Sequence, residues 1–274
     1  LTPIKLQERR LEKPWGATKL QPWFSDSAKK IGEVWFESEE PLPILVKFLF
    51  TSENLSVQVH PDDNYAGEHE NSPGKTEMWY ILRAEPEARI ALGFRERVTA
   101  SRVRAAIGDG SIEHLLRWHA VRAGDCFFTP AGTVHSIGAG IALCEIQQQS
   151  DVTYRLYDYG RQPARSLHIE QALAVANLGP HPGPQAPPHI SNGGRLAHCR
   201  YFATELLHWA EPFEYVPDHR CSHLLIVTEG AGRLGGEPFR LGQTWQARAA
   251  KGAFHVAPDG PVTVLRTYVP PETD

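Results

Sequence analysis

Short apolar runs recur along the chain, and glycine or proline interrupts nearly every one of them. That spacing predicts many short strands joined by tight turns rather than long helices. Strands are expected at residues 32–38, 45–50, 56–60, 77–82, 89–93, 126–129, 142–148 and 152–156. The stretch Glu77-Met78-Trp79-Tyr80-Ile81-Leu82 has the aromatic and β-branched content of a half-buried strand. Within 56–60 the residues alternate, so that Val57 and Val59 face one side while Gln58 and His60 face the other.

Two segments depart from this pattern. Between Thr99 and Trp118, Val103, Ile107, Ile112, Leu115 and Leu116 fall at near-helical spacing around Gly108-Asp109-Gly110. This predicts two short helices, the first capped by Thr99 or Ser101 and the second by Ser111. A third helix is expected over 166–178, with Leu167, Ala172, Leu173 and Val175 on its apolar side. The stretch 179–194 is rich in proline and glycine and has little to bury, so it reads as a linker or surface excursion. Strands resume at 224–227, 233–234, 239–241, 252–256 and 262–268. The chain therefore divides into an N-terminal unit (1–178), a linker (179–194) and a second β unit of similar kind (195–274).

Composition narrows the function. The chain has 274 residues, 41% of them hydrophobic, enough for one large β domain or two smaller ones with a real core. A net charge of −4 with mixed signs argues against a nucleic-acid binder that relies on a broad basic surface. Cys126, Cys144, Cys199 and Cys221 are far apart and read as reduced thiols of a cytoplasmic protein. The densest apolar run, 43–50, is too short to span a membrane and contains Lys47. The opening LTPIKLQERR does not read as a signal peptide. Monomer and homodimer both remain open.

Four positions suggest metal chemistry. Gln58 and His60 share a strand face, Glu77 begins the next strong strand, and His135 follows a turn. One amide oxygen, two imidazoles and a carboxylate make a plausible donor set for a divalent ion, with room for water or substrate. Zinc suits this set; manganese, iron or cobalt could also fit. The pair Asp62-Asp63 follows a proline and is expected to be a turn rather than a second site. Trp15, Trp79 and Tyr80 read as core residues that could alternatively line a pocket.

The spacing Gly124-x5-Pro130-x-Gly132-x2-His135 resembles the second motif of the cupin superfamily. Gln58-x-His60 with Glu77 stands where most cupins carry H-x-H and a glutamate. The order Gln, His, Glu, His is similar to that of the type I mannose-6-phosphate isomerases in their short bacterial form. Lys13-Pro14-Trp15-Gly16, the lysine strand 43–47, Lys75-x-Glu77 and the Ser150-Asp151-x3-Arg155 element extend the resemblance over residues 13–161. It implies an all-β fold of two cupin-like (jelly-roll) barrels with a short helical insertion. It implies one Zn2+ per chain on Gln58, His60, Glu77 and His135, and a small sugar phosphate as substrate. The implied reaction is the interconversion of mannose 6-phosphate and fructose 6-phosphate through an enediol. Among catalytic candidates, Arg155 matches an active-site arginine and Glu145 a carboxylate of the sugar cavity. Lys47, Lys75 and His60 compete with Glu145 for proton transfer, and Lys47 and Lys75 could also stabilise enediolate charge. Ser56 and Arg161 would hold phosphate, although Arg161 reads equally as a surface ion-pair residue. Gly252-x2-His255 echoes the histidine motif, but His223 stands alone before it, so the second unit is expected to lack a metal. The rival readings are another metal-cupin isomerase acting on glucose 6-phosphate, a cupin oxygenase, and a non-catalytic sugar-phosphate-binding cupin.

Overall fold

The computed structural model describes residues 2–183 and 194–271, and the chain is built almost entirely from antiparallel strands in four open sheets. The core of the linker expected at 179–194 lies outside the described residues. In the N-terminal half, a six-stranded sheet runs in the order Gln7–Ala17, Ile31–Glu37, Ile44–Phe50, Ile141–Gln148, Glu77–Ala84, Cys126–Thr129. Facing it is a five-stranded sheet ordered Tyr154–Tyr157, Val57–Val59, His135–Ile137, Arg89–Phe94, Leu116–Ala120. The C-terminal half supplies a six-stranded and a four-stranded sheet. The all-β, cupin-like architecture expected from the sequence is therefore present.

The central sheet of the N-terminal half is buried on both faces, which explains why its strands read as continuous apolar runs. In Ile44–Phe50, Ile44, Val46, Phe48 and Phe50 join one core, while Leu49 belongs to another on the opposite face. The first core crosses the two halves: Phe24, Phe36 and Phe48 pack with Leu196, Leu224, Ile226 and Leu265. Phe48 sits edge-on to Phe24 at 5.5 Å and to Phe36 at 5.7 Å. Trp23 Nε1 donates to Thr228 O at 2.9 Å, and Ile4–Lys5 adds an edge strand beside Thr244–Ala247. The second core fills the space between the two N-terminal sheets, and the site opens beside it.

Several elements differ from the sequence expectation. Asp62-Asp63 is no isolated turn but the start of helix Asp63–His69, where the Asp62 carboxylate accepts from Tyr65 N at 2.9 Å. Ala100–Gly108 is capped by Thr99 as expected, yet the second helix ends at Leu115. Residues 116–120 instead form a strand on the edge of Arg89–Phe94, where ladder hydrogen bonds outweigh a marginal helical turn. The third helix covers only Ile169–Val175, because His168 N is bonded to Arg155 O and Asn177 N to Gly132 O. Strand Gln7–Ala17 is largely exposed, charged and contains Pro14, so it carries no apolar alternation to detect. Among the described residues no helix is long and apolar enough to cross a membrane.

Phe48→Ala should cost about 3–5 kcal/mol in urea unfolding, since a fully buried aromatic is lost from the core that joins the halves. A loss below about 1 kcal/mol would show that this core does not hold the halves together.

Candidate metal centre and sugar-phosphate cavity

Strand register assembles the site. On the five-stranded sheet, Arg155, Gln58 and His135 are direct neighbours across three strands. On the opposing sheet, Trp35, Lys47, Glu145 and Trp79 form a second row, with Glu77 two residues from Trp79 on the same face. Slipping either ladder by one residue would turn its whole row away from the cavity. His135 arrives from the turn at Gly132, whose φ of +83° suits glycine and whose N–H donates to His60 O at 2.8 Å. Lys75 is set by an equally tight approach. A Cβ on Gly74 would lie 2.5 Å from the backbone of Asp62, while Lys75 N donates to Pro61 O at 2.9 Å.

His60, Glu77 and His135 are buried, and one donor atom from each lies within 4.8 Å of the others. Each imidazole is oriented by a backbone carbonyl: His60 Nδ1 faces Val152 O at 2.8 Å and His135 Nδ1 faces Thr133 O at 2.9 Å. A carbonyl can only accept, so both Nδ1 atoms carry the proton and both Nε2 atoms are acceptors, with Lys75 Nζ donating to His60 Nε2 at 3.2 Å. Those Nε2 atoms lie 3.6 and 3.4 Å from the two oxygens of Glu77. Lys75 Nζ stands 3.1 Å from Glu77 Oε2 but off the hydrogen-bonding direction, which leaves both buried carboxylate oxygens without a donor. Two carboxylate oxygens without donors beside two unprotonated Nε2 atoms fit a divalent cation. The Gln58 amide is turned with Nε2 3.3 Å from His135 Nε2, while its oxygen accepts from Ser56 Oγ at 2.9 Å.

The electrostatics agree with that donor set. Burial pushes His135 down to about 4 and His60 well below the usual imidazole range, so both are neutral at pH 7. Burial lifts Glu77 to about 7 against the pull of Lys75. Lys75 is held above its ordinary value, the carboxylates of Glu77, Glu145 and Asp151 outweighing its burial.

A cavity of about 80 Å³ adjoins these donors. Its wall includes Lys47, Ser56, Gln58, Lys75, His135, Glu145 and Arg155. Glu145 Oε1 lies 3.5 Å from Lys47 Nζ and 3.9 Å from Lys75 Nζ, and Trp79 Nε1 donates to Oε2 at 3.1 Å. Lys47, only 2% exposed, also sits 4.4 Å over the Trp35 ring. Trp15 lines the cavity, whereas Tyr80 points into the opposite core. Arg161 is not brought to the wall. Its guanidinium donates to Asp158 Oδ1 at 2.6 Å and Asn54 O at 2.8 Å.

Sequence reasoning missed Lys13, Glu33, Asp151, Thr153 and Arg165 on the wall. Lys13 and Asp151 lie inside sequence elements already singled out, and Glu33 shares a strand face with Trp35. Arg165 follows the strand in a loop that carries no periodic signal. In the second half, His223 is engaged with the Tyr215 hydroxyl at 2.7 Å and His255 with Glu214 at 2.8 Å.

No family model matches the chain. It is 36% identical to a mannose-6-phosphate isomerase of Streptococcus mutans, over 65% of this chain and 68% of that protein. It is 35% identical to a probable mannose-6-phosphate isomerase, GmuF, of Bacillus subtilis, over 85% of this chain and 87% of that protein. The crystal structure of the mannose 6-phosphate isomerase from Bacillus subtilis superposes with a TM-score of 0.84 at 28% identity, covering 97% and 99% of the two chains.

The raised Glu77 gives metal binding a defined pH dependence. The metal-free site retains a proton on this carboxyl below about 7, whereas His135 stays neutral down to about 4. A divalent ion must displace that proton, so affinity should fall about tenfold per pH unit between pH 7 and pH 5. Zinc titration by calorimetry in buffers of different ionisation enthalpy should register close to one proton released at pH 6. Affinity that is flat over this interval would contradict the assignment of Glu77.

Proposed function

The chain belongs to the mannose-6-phosphate isomerase family, and on that premise we propose that it interconverts mannose 6-phosphate and fructose 6-phosphate with one divalent ion held by Gln58, His60, Glu77 and His135. The observation that carries this reading is the buried Glu77 carboxylate, its oxygens without hydrogen-bond donors and facing two imidazole lone pairs. Two imidazoles, a carboxylate and an amide oxygen favour Zn2+ over magnesium or calcium. A half-turn of the Gln58 amide presents its oxygen to the ion and lets its nitrogen donate to Ser56.

When bound, the ion supplies Lewis acidity toward the oxygens on C1 and C2 of the sugar. Everything else in the reaction falls to the side chains. Isomerisation moves one carbon-bound proton between C2 and C1 through an enediol, and of the wall carboxylates outside the donor set, Glu33, Glu145 and Asp151, Glu145 is the one flanked by both Lys47 and Lys75. Trp79 fixes one of its oxygens and leaves the other free to accept the proton and return it. Lys75 stays an ammonium and serves as an electrostatic partner for enediolate charge rather than as the base. Lys47 adds a second ammonium beside the same oxygen of Glu145. Arg155, in register with Gln58, orients the sugar oxygens.

We read the two sheet pairs as two cupin-like units. Residues 1–178 form the metal-binding one, and 195–274 the second, joined through 179–194. Four free cysteines agree with a reducing, cytoplasmic setting.

His135→Ala should lose metal and turnover together, because it removes a donor. Arg155→Ala should keep full metal content while turnover falls roughly 10²–10³-fold, the cost typical of removing one charge-stabilising group. Metal analysis paired with an assay of fructose 6-phosphate formation checks both. Isomerisation that survives complete chelation would refute the mechanism, and stoichiometric metal without turnover of mannose 6-phosphate would refute the activity.

A further inference from the structure

Two arginines converge on one carboxylate beside the cavity, a third shares the cavity wall with one of them, and the three are not equivalent. Asp158, only 7% exposed, accepts from Arg161 Nη1 at 2.6 Å and from Arg165 Nε at 2.8 Å. Arg161 spends its remaining donors on Asn54 O, with Glu53 at 3.6 Å, and its side chain is 9% exposed. Arg165 has a side chain 23% exposed and forms part of the cavity wall. Arg155 shares that wall and keeps a buried Nε with no hydrogen-bond partner. Its guanidinium is held below its usual range by burial and then by the positive charge of Arg165.

The charge on the wall points to the ligand. Lys13, Lys47, Lys75, Arg155 and Arg165 are opposed by Glu33, Glu145 and Asp151, an excess of two positive charges. Lys13 and Glu33 pair with each other at 3.3 Å, and Lys47 and Lys75 are taken up by Glu145, Asp151 and Glu77. Asp158 is shared between Arg161 and Arg165, and among the described residues no acidic group is in ion-pair contact with Arg155, so the surplus positive charge sits at Arg155 and Arg165. A phosphate monoester carries close to two negative charges at neutral pH and accepts two parallel bonds from a guanidinium.

We propose that Arg165, with the free Nε of Arg155, is the phosphate clamp of this enzyme, and that Arg161 is a positioning residue that holds Asp158 so that Asp158 can aim Arg165. This rests on the isomerase reading only for the identity of the sugar. The clamp itself is a statement about where a phosphate dianion binds.

The test uses metal-loaded protein and two probes, mannose 6-phosphate in steady-state kinetics and inorganic phosphate in calorimetric titration. Arg165→Gln should raise KM for mannose 6-phosphate about thirty- to a hundredfold with kcat changed less than about threefold. Its affinity for inorganic phosphate should fall by a comparable factor, with metal content unchanged. Arg165→Lys should recover part of both losses, since it restores charge without the planar fork. Should Arg165→Gln lose its fold, Arg165→Lys carries the test alone, an intermediate rise in KM supporting the clamp and an unchanged KM refuting it. The assignment is overturned if Arg165→Gln binds phosphate as the unaltered protein does, or if kcat falls while KM holds. Metal-loaded protein that binds phosphate through Arg165 yet isomerises nothing would leave the clamp standing and remove the isomerase reading.

Discussion

Lys47, Lys75, Glu77 and Glu145 are all buried in the space between two sheets, and the design of the N-terminal half follows from setting these lysines against these carboxyl groups there. A lone charge in such a setting would neutralise or unfold the protein, because desolvation costs several kcal/mol per ion. Two ammonium groups against two carboxylates bring the set to balance, with no pair in ideal hydrogen-bonding geometry. Both imidazoles beside them are forced neutral by the same burial. The interior thus holds acids, bases and donor atoms in fixed positions before any ligand arrives. A divalent ion shifts that balance to a double positive charge, which is the condition under which an anionic sugar phosphate is drawn in.

Burying this cluster demands a sheet that is covered on both sides. The inner face of Ile141–Gln148 carries Glu145 among Leu143 and Gln147, while its outer face carries Ala142, Cys144 and Ile146 into the core shared with the C-terminal half. The same division holds for Ile44–Phe50 and Glu77–Ala84. The C-terminal sheets are therefore the roof of the catalytic sheet. Without them Phe48, Met78 and Ile146 would face water, and the strand register that presents Lys47, Glu77 and Glu145 would lose the pattern that fixes it.

This double burial also sets what the sequence reveals. The strands that hold the site are apolar on both faces, so Lys47 stood out as an anomaly within a run, and the alternation in Gln58-Val59-His60 assigned two donors to one side. The turn glycine ahead of His135 was equally legible, since a positive φ leaves a residue-type signature. Edge and loop positions left no such trace. Gln7–Ala17 is solvated along most of its length, Leu116–Ala120 is shorter than the helix it was mistaken for, and the Asp62 cap resembles an ordinary turn until its partner at Tyr65 is known. Arg161 and Arg165 illustrate the limit at the site itself. Both are basic residues on one loop after the same strand. Only the third dimension shows that Asp158 holds both, that Asn54 O draws Arg161 away, and that Arg165 alone reaches the cavity wall.

The glutamine among the donors has a physical logic of its own. His60 and His135 are locked by backbone carbonyls, and Glu77 is locked by burial between them, whereas the Gln58 amide is held by side chains alone, Ser56 and His135 Nε2, and can turn. It is the adjustable member of an otherwise fixed set. Its neutrality matters as much as its freedom. With Glu77 as the one anionic donor, a divalent ion keeps a net positive charge and so retains Lewis acidity toward a sugar oxygen. A second carboxylate at position 58 would cancel that charge. It would also stand in register with Arg155, pairing with the guanidinium that the substrate is meant to find free.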